Sequence, residues 1–213
     1  MATPGELCAK TSEVLGLETN TTLIAWRALR EGSHVTTGGR GRSAAHCVPA
    51  DAASLLVAAI GKMPLQSYLK SWERFSNLKE KLLIKRAHPK KTTPELDALE
   101  IRHAFSEGLT ALITSAMTGS LQAFLGGGLT REGNLKQGRI LVHFNGPFPQ
   151  AGIEIWKGDD PRLKDLQFWY SDRIVRWPDQ VRRAHHKSGD LSQSMTISER
   201  TILTLGEFLR HKG

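Results

Sequence analysis

The spacing of apolar residues changes from helical to strand-like along this chain and then back, and that pattern limits what it can fold into. As far as about Met117, apolar residues recur every three or four positions, as they do along one face of a helix. From residue 139 they alternate with polar residues, as in half-buried strands, over 139–144 (RILVHF) and 152–156 (GIEIW). The last stretch, about 198–209, returns to helical spacing. Helices followed by a small sheet predict an α+β fold that is mostly helical.

The first part of the chain divides into four predicted helices. They cover residues 5–16, 19 to about 31, 51–60 and 64 to about 78. A helix, a tight turn and a second helix form the frame of a helix-turn-helix. Segment 35–48, which follows the second helix, predicts a β-hairpin with a glycine-rich tip. This order of elements is typical of a winged helix-turn-helix.

The rest of the chain predicts a linker, a long helix and a small antiparallel sheet. Residues 79–94 are basic and end in prolines, as a linker does. A long helix is expected over 95 to about 117, a hairpin turn at 145–147 (Asn-Gly-Pro) and a third strand at 166–171. The predicted division is a winged helix-turn-helix domain at 1–62, a helix and basic linker at 63–93, and an α+β dimerisation or partner-contact domain at 94–213.

The positive charge of the chain is concentrated near its start. The 213 residues carry 29 Lys and Arg against 21 Asp and Glu, a net charge of +8. Residues 1–93 carry 14 against 7, a net of +7, and residues 94–213 carry 15 against 14, a net of +1. Clustered cations displace counterions from phosphates, so this asymmetry favours a polyanionic partner. Charge alone does not separate DNA, RNA and an anionic membrane, and a solvated basic face is the alternative.

The distribution of apolar residues also bears on location. No run approaches the roughly 18–20 apolar residues of a membrane helix, and the start of the chain, MATPGELCAK, lacks the pattern of a secretory signal. The two cysteines, Cys8 and Cys47, are too few for a disulfide framework. We therefore expect a cytoplasmic protein without a membrane partner.

The second predicted helix has two faces with different roles. One face is expected in the core because its members follow helical spacing: Thr22, Ala25, Trp26 and Leu29. The opposite face offers an amide for adenine, a guanidinium for guanine and an aliphatic group for a thymine methyl. The DNA-contacting residues predicted on it are Asn20, Thr21, Ile24 and Arg27. An ordinary amphipathic surface helix is the alternative.

The tip of the predicted hairpin offers backbone and cationic contacts. Its glycines permit close approach of the backbone to phosphates, and its arginines fit a phosphate or a narrow minor groove. The DNA-binding residues predicted here are Gly39, Arg40, Gly41 and Arg42. A surface loop with incidental charge is the alternative.

Signatures of enzymes and cofactor sites do not occur in the sequence. HExxH, P-loop and Gly-x-Ser-x-Gly patterns are absent. Asp159-Asp160 and His185-His186 fall in loop-like segments, and the histidine pair has no Cys or His partner at zinc-binding spacing. We expect no enzymatic activity, no metal and no cofactor.

Residues 26–60 (WRALREGSHVTTGGRGRSAAHCVPADAASLLVAAI) show a resemblance to a known class. The run resembles the N-terminal segment of phage-type regulators of alphaproteobacteria, including the N-terminal half of gene transfer agent transcriptional activators. In those, a helix ending in LREAG precedes a Gly-Gly-Arg-Gly-Arg-like hairpin and a TP-x-DAA-x-LL helix. The matching positions are Leu29, Arg30, Glu31, Gly38 to Arg42, His46, Pro49, Asp51 and Leu55. Ser33 and His34 depart from it, since an apolar residue is expected there after the glycine.

The resemblance implies sequence-specific control of phage-like or gene transfer agent genes at the bacterial nucleoid. Together with the residues, it predicts a DNA-binding transcription regulator, as an activator or a repressor. Double-stranded DNA, RNA polymerase or a sigma-like factor, and a DNA-bending protein are the expected partners, and a homodimer is expected because two half-sites add specificity. Two alternatives are a DNA-packaging or replication-origin factor, and a protein-interaction module centred on 94–213.

Overall fold

The computed structural model describes residues 2–38, 46–61, 67–81, 92–126, 138–146, 149–157, 166–171 and 193–212. The helices in these ranges are α1 (Pro4–Leu15), α2 (Thr19–Glu31), α3 (Pro49–Ile60), α4 (Tyr68–Ser76), α5 (Pro94–Asp97), α6 (Phe105–Thr118), α7 (Ser120–Leu125) and α8 (Glu199–Lys212). The strands are β1 (Arg139–Gly146), β2 (Gln150–Trp156), β3 (Leu166–Ser171) and β4 (Gln193–Ser198). Helices and one small sheet confirm the predicted α+β class, and α8 confirms the predicted C-terminal helix.

The four strands form one antiparallel sheet in the order β3-β2-β1-β4. The predicted hairpin between β1 and β2 is confirmed, with Val142 opposite Ile153. The sequence prediction missed β4, which pairs with β1 so that Ile197 lies opposite Val142. Its signal was present but short, because only Met195 and Ile197 alternate with polar residues in a polar stretch.

The inner face of the sheet joins a core that the helices share. Ile140, Val142 and Phe144 are buried along β1, and the Phe144 ring meets the edges of Phe75 on α4 and Phe105 on α6. Helix α3 lies at the centre of the helical layer and packs against α2, α4 and α6. One hydrophobic core therefore includes helices from both sides of the predicted boundaries at 62 and 93, and the division into domains stays a prediction.

The predicted long helix over 95–117 is wrong, because the chain breaks it between α5 and α6. Arg102 adopts a left-handed φ of 66°, and Ile101 is 72% exposed. The backbone there bonds to residues 78–80 instead of continuing a helix: Glu80 N donates to His103 O at 3.0 Å, and Phe105 N donates to Leu78 O at 2.9 Å. Tertiary hydrogen bonds thus override a local helical pattern, as they often do.

The C-terminal helix α8 lies directly against α6. A side chain at Gly206 would collide with Ala116 and the backbone beside it, so only glycine fits this crossing. Arg210, one turn further along α8, adds a hydrogen bond at the same place, since its Nη2 donates to Ala116 O at 2.8 Å. Lys212 Nζ then reaches Glu6 Oε1 of α1 at 2.8 Å. This ion pair connects the last turn of α8 to α1.

Candidate nucleic-acid interface

Helix α2 is set against α1 by a tight turn and a pair of buried hydroxyl groups. Gly16 ends α1 in the left-handed conformation (φ 66°, ψ 31°), which a residue without Cβ adopts readily. Ser12 Oγ and Thr22 Oγ1 lie 2.7 Å apart, and Thr22 Oγ1 also donates to Cys8 O at 3.0 Å. Because both hydroxyls are buried, these bonds fix how α2 leaves the turn.

The inner face of α2 is the one that the sequence predicted. Thr22, Ala25, Trp26 and Leu29 are all buried, at 0%, 0%, 6% and 0% exposure. They pack α2 against α1 and α3. The predicted buried face of α2 is therefore confirmed.

The outer face of α2 repeats the same spacing with different residues. Asn20, Leu23, Ile24 and Arg27 stand at i, i+3, i+4 and i+7, and all four are exposed. We call this set the outer stripe. Three of the four were predicted; Leu23 was missed, although the spacing already used for the core face would have found it. Thr21, also predicted, is half-buried at the flank of the stripe.

The C-terminal end of α2 is closed by a residue in an unusual conformation. Ser33 adopts a left-handed φ of 59°, and the backbone N of His34 donates to Leu29 O at 2.9 Å. The His34 ring then stacks on Trp72 of α4, with ring centroids 3.6 Å apart. These contacts set the direction in which the chain leaves α2.

The predicted hairpin is only partly within the described residues. Gly39, Arg40, Gly41 and Arg42 lie outside them. In the flanks that are described, 36–38 and 46–48, the chain has no strand, so the expectation of two short strands there is wrong. In these flanks Thr36 N and Val48 N donate to one side chain, and Cys47 N donates to Ala2 O at 2.9 Å.

That side chain belongs to Asp51 in the first turn of α3. Its Oδ1 accepts from Thr36 N at 2.7 Å, and its Oδ2 accepts from Val48 N at 2.8 Å. Asp51 is 2% exposed, and a carboxylate is favoured at a helix N-terminus. The predicted helix over 51–60 begins at Asp51, whereas α3 begins at Pro49, and the sequence revealed neither partner of this carboxylate. One carboxylate therefore binds the described chain on both sides of the segment that carries Arg40 and Arg42.

Most of the exposed large aliphatic side chains fall in one stretch of the sequence. Among the described residues, five large hydrophobic side chains are exposed: Leu17, Leu23, Ile24, Val48 and Ile101. The first four belong to residues 17–48, which include the turn before α2, its outer stripe and the segment after the loop. Of these, Leu23 and Ile24 are adjacent on one exposed helix face, and a contiguous exposed apolar patch is typical of a surface that meets a partner.

A buried polar cluster elsewhere has a structural role. His103 Nε2 lies 2.7 Å from Tyr170 Oη, and His103 Nδ1 lies 3.4 Å from Glu80 Oε2. All three residues are buried. Burial is the main cause that raises the pKa of Tyr170 well above its ordinary value, with the carboxylates of Glu80 and Glu107 adding to it. The phenol stays protonated, and the cluster joins β3 to the chain before and after α5.

A second polar row crosses the outer face of the sheet. His143 Nδ1 lies 3.1 Å from Thr196 Oγ1, and His143 Nε2 lies 3.4 Å from Glu154 Oε2. Gln167 Nε2 donates to the other oxygen of Glu154, and the Trp169 ring stacks on His143 at 5.9 Å between centroids. The row takes one side chain from each strand, which is how polar neighbours pair across a sheet. Sequence spacing did not indicate it, because strand pairing creates it.

The cysteines are unsuited to nucleophilic chemistry. Burial raises the pKa of Cys8 to about 11 and is the main cause that raises that of Cys47 to about 12. Both therefore remain thiols near neutral pH, and thiolates are the reactive form. Within the described ranges, no three His, Cys, Asp or Glu residues are placed to hold a metal ion. Asp159-Asp160 and His185-His186 lie outside those ranges.

Comparison with known proteins adds no relative. Neither a protein-family model, nor a curated protein, nor a solved structure matches this chain. No helix in the described part of the chain is long and apolar enough to cross a bilayer.

Proposed function

We propose that this protein is a sequence-specific DNA-binding transcription regulator, in which α2 enters the major groove and the loop after it contacts the DNA backbone. The outer stripe of α2 carries the proposal. It places an amide, a guanidinium and aliphatic groups on one exposed helical face, and these are the groups that distinguish base edges. Helices of this kind present their N-terminal residues to the bases, and Asn20 lies at that end.

Charge and loop anchoring support the same proposal. Residues 19–48 carry four arginines and one carboxylate, a net of +3. Two of those arginines, Arg40 and Arg42, lie in sequence between Thr36 and Val48, whose backbone N–H groups both donate to Asp51. In protein–DNA complexes, phosphate contacts position the protein and base contacts specify the site. Here the arginines would make the phosphate contacts, and α2 would make the base contacts.

The remainder of the proposal concerns assembly and partners. We infer that residues 94–213 mediate dimerisation or contacts with the transcription machinery, and that a homodimer reads two half-sites. RNA polymerase or a sigma-like factor, with a DNA-bending protein, would then be met at promoters of phage-like or gene transfer agent genes.

The direct test is the salt dependence of DNA binding. Affinity of the full chain for a fluorescent mixed-sequence duplex is measured by anisotropy at a series of KCl concentrations. Replacing Arg40 and Arg42 with Ala should weaken binding and reduce the slope of log K against log salt by about 2, since each phosphate contact contributes about 0.9.

A matched pair of substitutions separates contact from net charge. Arg102→Ala with Arg200→Ala removes two exposed arginines outside the interface and should leave the slope close to wild type. Equal slopes for both double variants would contradict a role for the loop. An absence of any salt-dependent binding by the wild-type chain would contradict DNA binding itself.

A further inference from the structure

The outer stripe of α2 is half apolar, which a phosphate-binding surface does not require. Leu23 is 43% exposed and Ile24 is 46% exposed. Phosphate oxygens are bound by cations and hydrogen-bond donors, and an ordinary solvent-facing helix side is polar. Two adjacent large aliphatic side chains at this position therefore need a partner that itself presents an apolar group.

The two aliphatic side chains hold a defined position relative to the polar ones. With about 100° between successive residues of a helix, Asn20 and Arg27 lie nearly in line along the axis. Leu23 and Ile24 then lie about 50° to either side of that line. A group that approaches the helix between Asn20 and Arg27 is thus flanked by an aliphatic side chain on each side.

The major groove offers one apolar group that fits this arrangement. Thymine carries a C5-methyl group at the groove edge, while the other groups exposed there are hydrogen-bond donors and acceptors. An apolar protein partner would satisfy Leu23 and Ile24 but would bury the guanidinium of Arg27 between them. The net charge of +3 over residues 19–48 also favours a polyanion.

We propose that Leu23 and Ile24 are specificity-determining residues that read thymine methyl groups, so that the preferred DNA carries thymines next to the bases that Asn20 and Arg27 meet. This inference rests on the proposed function. It extends the expected contact with a thymine methyl group from Ile24 to Leu23, and it names thymine as the base beside those that Asn20 and Arg27 meet.

The test removes the methyl groups without changing base pairing. The full chain selects duplexes from a random-sequence pool, and the most enriched duplex is resynthesised with each thymine replaced singly by deoxyuridine. Affinities are measured by fluorescence anisotropy at one salt concentration. Loss of a read methyl group should weaken binding by about fourfold, the factor for one buried carbon group, at two or more positions.

Variants of the protein assign the effect to residues. Leu23→Ala and Ile24→Ala should each bind the thymine and deoxyuridine duplexes equally at the position that the residue reads. Ile101→Ala removes a more exposed aliphatic side chain, outside the interface, and should keep the full discrimination. Circular dichroism confirms that all three variants are folded.

Each remaining outcome has a single meaning. If the wild-type chain binds the selected duplex and every deoxyuridine version equally, the methyl-reading proposal is wrong while DNA binding stands. If Leu23→Ala and Ile24→Ala weaken both duplex types by the same factor, the residues act without reading methyl groups and the proposal is also wrong. If the pool yields no enriched duplex, sequence-specific binding and this inference fail together, whereas salt-dependent binding to mixed DNA is measured separately.

Discussion

Helices α2 and α3 are neighbours of almost equal length, 13 and 12 residues, but they relate to solvent in opposite ways. Helix α3 is buried along most of its length, with Leu55 and Leu56 at 0% exposure. Helix α2 buries one stripe and leaves a second, equally regular stripe exposed. A helix that is apolar all round belongs to the core. A helix that also exposes apolar side chains, as α2 does, has a surface on which a partner could pack. The contrast distinguishes α3, which stabilises the core, from the exposed face of α2, which the core does not use.

The largest expected effect tests that contrast through stability. Leu55→Ala should lower the free energy of unfolding by about 2–5 kcal/mol, because it opens a cavity in the core. Ile24→Ala, which removes an exposed aliphatic group from α2, should change it by no more than about 0.5 kcal/mol. Urea denaturation measures both, and similar losses for the two variants would remove the distinction between the helices.

The next effect concerns Asp51 of α3, whose carboxylate binds Thr36 N and Val48 N. Asp51→Ala should destabilise the protein by about 2–3 kcal/mol, since it removes two hydrogen bonds to a carboxylate. Asp51→Asn keeps one acceptor oxygen and should fall between Ala and wild type. Thermal and urea denaturation give the order, and an Asn variant as unstable as Ala would show that a single bond carries the contact.

Function, rather than stability, should change when the outer stripe is altered. Arg27→Ala should relax base preference at one position by about 1–3 kcal/mol, the value of a bidentate contact with guanine. Its unfolding free energy should stay near wild type because the side chain is exposed. Competition between selected and single-substituted duplexes measures the preference, with Arg200→Ala as the control. An unchanged preference would place base reading on another face.

The smallest effect is expected at the end of α2. Ser33 has a φ of 59°, a conformation that costs a residue with Cβ more than glycine. Ser33→Gly should therefore stabilise the protein by about 0.5–1 kcal/mol, while Ser33→Ala should not. Equal melting temperatures for the two variants would mean that backbone strain at this residue is negligible.

Periodicity was sufficient where a structure depends on neighbours in sequence. The buried stripe of α2 and the β1–β2 hairpin follow from local spacing, and both were predicted. The exposed position of Asn20, Ile24 and Arg27 followed from the same spacing. What the sequence could not supply were features created by distant partners.

Three such features illustrate the limit. The break before α6 depends on hydrogen bonds from 78–80, and β4 exists because β1 offers it an edge. The link from Asp51 to Thr36 spans 15 positions. In each case the local pattern was weak or pointed elsewhere, and the tertiary contact decided the conformation.

The hydrogen bonds of Asp51 also bear on how the length of the segment between Thr36 and Val48 could change. Asp51 accepts hydrogen bonds from Thr36 N and Val48 N, so the scaffold fixes the two points between which the 11 residues from 37 to 47 run. Loop-closure entropy rises slowly with length, and two added residues would cost only about 0.1–0.2 kcal/mol. The same scaffold can therefore carry loops of different length and charge, so that reach toward a target can diversify while the fold stays constant.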